Sequence, residues 1–384
     1  MHKKESVFKR VISRTLGNKK TQSVTIPLLC VLIGLIVGAI VIAVLGKNPF
    51  MAYYNLLQGC GIAPKASYAG HKSILTDFLS FLNYLTPMIF AALAVAVAMR
   101  TGLFNIGVSG QMLAAGFLAT ILVGYSGLNT FLAKPLVLLI GVAAGAVVGG
   151  LIGLLKFKFN INEVVSSIML NYIIQYVCSF CINTFYVDPV SRQSKAVAQS
   201  ARLTLADTVV GDLKMDIPLG FILALIAVVL VKFLLDRTKM GYEMKAVGFS
   251  RSASRYAGIN VGKNIVVTML ISGALAGLAG VTYYLGYFAS IQPRVLSSTG
   301  FDAIAVSLLG NNNPVGIIFS SLLITVVDKG STYMSSAAGI QAEIADVITG
   351  IILLFCACSA FIRYLLTRMK DEEGRKDEEG SKEK

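Results

Sequence analysis

Apolar residues gather along this chain into ten runs separated by polar stretches: 24–45, 79–99, 103–123, 135–155, 163–186, 217–235, 264–290, 300–310, 314–328 and 343–366. Most are close to the twenty residues that an α-helix needs to cross the roughly 30 Å hydrocarbon core of a bilayer. The ten-residue alternation of a membrane β-barrel does not occur. The pattern predicts an all-α polytopic membrane protein with about ten transmembrane helices and a membrane domain covering 24–366. The first run follows a basic stretch, as in a secretory leader. It is 22 residues long and lacks a small-residue cleavage site, so a retained first span is expected.

Two runs open on related sequence. Residues 101–109 read TGLFNIGVS and residues 299–307 read TGFDAIAVS, with Thr, Gly, Ile, Val and Ser shared at five of nine positions. Five spans separate them, so the relation predicts a five-plus-five inverted repeat with some broken or short helices. The first copy is interrupted by Gly102, Gly107, Gly110 and Gly116. The second belongs to an eleven-residue run, only about 16 Å of helix, before NNNP stops it. Broken segments at matching places in two halves point to a transport path. Asn105, Gly107, Gln111, Asn171, Phe301 and Asp302 are the candidate path residues. Asn and Gln amides suit a neutral hydrogen-bonding solute and equally suit interhelical bonding. Gln175, one turn beyond Asn171, has the same two readings. Aromatic rings at Phe104, Tyr172, Tyr176 and Phe301 suit base stacking or plain packing. Gly38, in the first run, is expected to tolerate a larger side chain.

Charge adds orientation. Only 14% of residues are charged against 55% hydrophobic, yet the net charge is +14. With the N-terminus inside, 24 of the 34 Lys and Arg fall on the cytoplasmic side and 10 outside. That asymmetry follows the positive-inside rule and makes nucleic acid unnecessary as an explanation. Both termini are then cytoplasmic: a basic segment at 1–23 and a mixed-charge tail at 367–384, expected to be disordered.

The longest basic polar loop, 236–263, exceeds what two spans need for a link. Within it SRSASRYAG predicts a short helix, with Ser250 as N-cap, Arg251 and Arg255 on one face, and Gly258 as the stop after Ala257. Such a helix is either a docking handle for another protein or a plain positive-inside anchor.

Catalytic chemistry has no foothold. No phosphate-binding G-x-x-x-x-G-K-[ST] loop occurs. The two histidines, His2 and His71, are far apart, which supports neither a metal site nor a triad. Cysteines stand at 30, 60, 178, 181, 356 and 358, and Cys178 with Cys181 suits small apolar filler better than redox chemistry. Glu163 suits a helix N-terminus, and Asp302, near a span end, suits a wet or capping position. No span centre carries the carboxylates or paired charges that ion-coupled secondary transporters usually need, which leaves that class as the weaker alternative.

TGLFNIGVSGQ, NEVVSSIMLNYI, AVGFSRSASRYAGINV, ISGALAGLAG and GFDAIAVSLLGNNNP together resemble permease subunits of ABC importers of the ribose/nucleoside family. NPFMAYYNLLQG is similar to the longer permease of nucleoside importers that work with a lipoprotein receptor. The resemblance covers about 46–360 in order. It implies a plasma-membrane subunit that conducts nucleosides, or alternatively ribose or another simple sugar. It also implies a second, paralogous permease, a cytoplasmic ABC ATPase and an extracytoplasmic substrate-binding lipoprotein. This chain would bind no cofactor, with ATP used by its partner. The loop at 236–263 matches the family's coupling loop, which implies that Ser250, Arg251, Arg255, Ala257 and Gly258 face the ATPase. Ser109 stands where the family often has an acidic residue, so no carboxylate is available at that turn.

Overall fold

The computed structural model describes residues 22–68, 70–210, 212–341 and 343–357. The N-terminal basic segment, the C-terminal tail, His2 and Cys358 lie outside them, as does the side chain of Cys356. Among the described residues each apolar run carries a helix. In chain order these are α1 (Gln22–Val44), α2 (Pro49–Gly59), α3 (Ile74–Arg100), α4 (Val108–Ala119), α5 (Thr130–Phe159) and α6 (Glu163–Cys181). A two-stranded antiparallel hairpin follows, β1 (Thr204–Val210) and β2 (Leu213–Pro218). Then come α7 (Leu219–Arg237), α8 (Lys239–Phe249), α9 (Arg251–Tyr256), α10 (Val261–Val281), α11 (Thr299–Leu309), α12 (Pro314–Ala338) and α13 (Glu343–Ala357). Wider π-turns finish α4, α6 and α10 at Thr120–Gly124, Ile182–Tyr186 and Thr282–Phe288.

Six of these helices are long and apolar enough to cross a membrane, with a seventh if the bent pair Leu29–Val44 and Pro49–Gly59 is one span. Val108–Gly124 and Thr299–Leu309 are apolar but shorter. The described parts of Met1–Tyr53 and Ala338–Lys384 form one compact unit, and Tyr54–Ala337 forms the other.

Within the larger unit α3 is the central helix. Residues 89–98 of its inner half are completely buried, as expected of a helix apolar on every face. Beside it α5 and α10 meet through glycine. Gly141, Gly145, Gly149 and Gly153 recur every fourth residue on α5; the first three face Gly273 and Gly277 on α10, and Gly153 faces Val266 and Met269. A Cβ on Gly145 would lie 2.1 Å from the Gly273 carbonyl oxygen, and one on Gly277 would lie 2.0 Å from that of Gly141. Lipid offers no hydrophobic drive for helix pairing, so contact of this closeness between backbones supplies the dispersion energy. By contrast, Ile168, Tyr172, Ile173, Tyr176 and Phe180 on α6, and Ile222, Ile226, Val229 and Phe233 on α7, are exposed.

Loops sort to two ends, as alternating spans require. At one end Lys156 pairs with Glu163 at 2.7 Å, Arg100 Nε donates to the Asn312 carbonyl at 3.0 Å, and Phe157 packs against Gly262. At the other end the Val197 amide donates to the Ala289 carbonyl at 2.9 Å and the Lys214 amide to the His71 carbonyl at 3.2 Å. These are called the basic end and the hairpin end below.

The third run unwinds at its start, in the stretch interrupted by Gly102 and Gly107, and helix resumes only at Val108. Three expectations need correction. The loop at 188–216 holds most of a hairpin, and Ile217 belongs to β2 instead of opening a span. α12 continues ten residues beyond Asp328, since adjacent charges interrupt the apolar pattern without interrupting the helix. Gly38 is not a spacious position: in the smaller unit a Cβ there would lie 2.8 Å from both Ile348 Cγ1 and the Tyr53 hydroxyl.

Gly145→Leu is expected to lower the amount of folded protein in the membrane several-fold, because its obstacle is backbone that cannot step aside. Gly350→Leu, with nothing within 4 Å, is expected to leave abundance unchanged. Quantitative immunoblotting of membrane fractions compares the two, and equal abundance would contradict the glycine seam.

Candidate functional site

After Arg100 the chain turns at Thr101–Gly102, runs non-helically through Ile106, and re-enters helix with Gly107 as N-cap. Gly102 has φ +67, a conformation that glycine adopts without strain. The freed backbone is held by side-chain amides. Asn105 is fully buried, and all four of its hydrogen-bonding positions are used. Its Oδ1 accepts from the Gly107 amide at 3.0 Å and from Gln111 Nε2 at 3.2 Å. Its Nδ2 donates to Gln111 Oε1 at 3.1 Å and to Ser272 Oγ at 2.8 Å. Ser272 passes the chain on by donating to the Ala94 carbonyl at 2.6 Å. Asn171 works from the other side: its Oδ1 accepts from the Gly110 amide at 3.0 Å and its Nδ2 donates to the Ile106 carbonyl at 3.1 Å.

The six predicted path residues therefore divide. Asn105, Gly107, Gln111 and Asn171 come together as a buried brace around the break. Gly107 sits inside it, where a Cβ would lie 3.1 Å from both amide side chains. Phe301 is 44% exposed and Asp302 half-buried, both in the first turn of α11. The start of α11 rests on the start of α4: a Cβ on Gly300 would lie 2.6 Å from the Ser109 amide nitrogen. Ser109 is fully buried and donates to the Ser297 carbonyl at 2.9 Å. A hydroxyl fills this place, close against Gly300.

At the basic end the loop 236–263 is an arm of two helices. α9 has the expected caps: Ser250 Oγ accepts from the Ala253 amide at 3.3 Å, and Gly258 lies at φ +77. Arg251, Arg255 and Ala257 are exposed, and Phe249 and Tyr256 are each 95% exposed. α8, unforeseen from the sequence, seats the arm. Its Met244 and Val247 are buried, and a Cβ on Gly241 would strike the Leu234 carbonyl of α7 at 2.1 Å. Gly248 lies against the end of α3, where a Cβ would be 2.3 Å from the Arg100 carbonyl oxygen. Arg251 Nη2 donates to the Gly102 carbonyl at 3.2 Å. Arm and broken segment are thus joined by direct contact.

The sequence reading also missed a polar cluster toward the hairpin end. The continuation of α12 places Asp328 and Lys329 inside a helix, so paired charges do occur within a span. Tyr84 of α3 donates its hydroxyl to Asp328 Oδ2 at 2.7 Å. Lys329 Nζ bonds the Tyr287 hydroxyl and lies 4.7 Å from the Tyr287 ring centroid and 5.5 Å from that of Tyr84. The available signal was the acid–base pair itself.

The family described as "Branched-chain amino acid transport system / permease component" matches residues 78–357. The Guanosine ABC transporter permease protein NupP of Bacillus subtilis is 36% identical over 92% of this chain and 98% of its own length. The Nucleoside ABC transporter permease protein NupB of Lactococcus lactis is 35% identical over 92% and 96%. The Glucose ABC transporter permease protein TsgB13 of Haloferax volcanii is 28% identical over 88% of each. A match across most of the chain, reached independently through the family and through near-full-length relatives, identifies this protein as a member of the branched-chain amino acid transport system permease component family.

Proposed function

We propose that this chain is the nucleoside-conducting permease subunit of an ATP-driven importer in the plasma membrane. The observation that carries the reading is the near-full-length similarity to two permeases named for nucleosides. In this arrangement an extracytoplasmic lipoprotein delivers the solute at the hairpin end. A second, paralogous permease completes the pathway against exposed apolar faces such as those of α6 or α7. An ABC ATPase drives the cycle from the basic end, which faces the cytoplasm together with both termini. ATP hydrolysis falls to that separate subunit. Ten spans in a five-plus-five inverted repeat accommodate the two related segments, with 101–107 and α11 as the broken elements bordering the path. Asn105, Gly107, Gln111 and Asn171 act on the path by holding its wall, and Phe301 with Asp302 borders it directly.

The arm suits the motor contact. A short helix transmits force only when folded and seated, and α9 is capped at both ends while α8 is packed beneath it. Its exposed Arg255, Tyr256 and Ala257 face outward, and Arg251 turns back to Gly102, so displacement of the arm is carried into the broken segment. A sugar is the second reading, favoured by the similarity to a glucose permease. Uptake of radiolabelled guanosine, uridine, ribose and glucose in cells with and without this gene separates them. Gene-dependent accumulation of nucleosides alone is expected, and sugar uptake without nucleoside uptake would replace the first reading with the second.

Ala257→Asp and Gly258→Pro are expected to abolish uptake while the transporter still assembles and hydrolyses ATP. The first puts a charge on the docking face. The second cannot adopt φ +77 and so undoes the cap. Wild-type uptake by either variant would remove α9 from the motor interface.

A further inference from the structure

We propose that Tyr84, Tyr287, Asp328 and Lys329 form a solute-recognition site within the permease, one that receives a nucleoside on its way through the membrane. This rests on the nucleoside reading above and adds to it a place and a set of contacts. Charged side chains within a span are costly and belong to pathways and polar cavities by default. Asp328 and Lys329 are the fifteenth and sixteenth residues of the 25-residue α12, about 21 Å along it. Both are half-buried.

Three elements converge on it, α3, the π-turn of α10, and α12. Such convergence is what a binding site requires and what one helix's surface decoration lacks. The rings form a connected wall: Tyr84 and Tyr287 lie 4.9 Å apart, Tyr287 and Phe288 4.8 Å, and Phe288 and Tyr283 4.8 Å. Phe288 is 48% exposed, which leaves part of this wall open.

The chemistry fits one solute class. A flat base stacks on tyrosine rings whatever its hydrogen-bonding pattern. Carboxylate and ammonium groups side by side accept from ribose hydroxyls and donate to base carbonyls. Toward the basic end, Ser321 and Thr325 lie along the same α12 face, buried and with unpartnered hydroxyls. They continue the polar surface beyond the cluster. The π-turn Thr282–Phe288 carries three of the rings and belongs to a class of irregularity common at functional sites.

The test uses the assembled transporter in cells, on a background stripped of the chain's six cysteines. Phe288→Cys is modified from outside by an impermeant thiol reagent, with and without saturating guanosine. Val190→Cys, 91% exposed in the hairpin-end loop, serves as control. Guanosine is expected to slow modification at 288 about threefold or more and to leave 190 unchanged. Tyr287→Leu and Lys329→Met are expected to cut guanosine uptake about tenfold or more. Tyr84→Phe, which keeps its ring, is expected to lose less than Tyr287→Leu. Unprotected modification at 288 in a transporter that takes up guanosine overturns the site, as does wild-type uptake by Tyr287→Leu and Lys329→Met. A parent transporter that takes up no nucleoside fails the functional reading instead, and is recognised before any variant is compared.

Discussion

Backbone that leaves a helix inside a bilayer finds no water to bond, so every freed amide and carbonyl needs a partner within the protein. At the interruption 101–107 the Thr101, Gly102 and Leu103 amides bond carbonyls at the end of α3, and side chains take the Gly107 amide and the Gly102 and Ile106 carbonyls. Asn105 bonds the Gly107 amide and joins Gln111 and Ser272, while Asn171 bonds the Gly110 amide and the Ile106 carbonyl. Losing such a partner would leave buried groups unsatisfied at about 1–3 kcal/mol each. This explains why polar amides sit fully buried among apolar residues, where they would otherwise be liabilities.

The brace also fixes what surrounds it. Ser272 belongs to α10, which is locked to α5 by glycine backbones in contact, and its hydroxyl reaches Ala94 on the central helix α3. Below the break, Gly248 and Arg251 bring the arm against Arg100 and Gly102. Above it, Gly300 rests on Ser109 and leads into α11, with Phe301 and Asp302 beyond. A push on the arm therefore meets a break already held by stiff neighbours, and a stiff neighbour passes displacement on where a loose loop would absorb it. In the proposed importer this is the mechanical route from motor to path.

What could be read in the sequence was set by whether the determining interaction is local. The helix at Arg251–Tyr256 was legible because its caps, Ser250 and Gly258, lie next to it in sequence. The apolar runs were legible because the bilayer imposes their length. α12 was cut short because Asp328 and Lys329 look like an end when their partners, Tyr84 and Tyr287, lie over 240 and over 40 residues away. The glycine ladder on α5 was present in the sequence, but its meaning depends on Gly273 and Gly277 facing it. Asn105 stood out as a polar residue in an apolar run. Its function as a brace depends on Gln111 and Ser272 turning toward it, which no spacing rule specifies.

Hydrogen–deuterium exchange of the peptide covering residues 101–110, in the assembled transporter, tests the braced break most directly. Slow exchange comparable to that of the buried α3 is expected in the parent protein although residues 103–106 are not helical. Asn105→Ala should release that protection while leaving α3 slow. Rapid exchange of 101–110 in the parent protein, or protection untouched by Asn105→Ala, would contradict the brace.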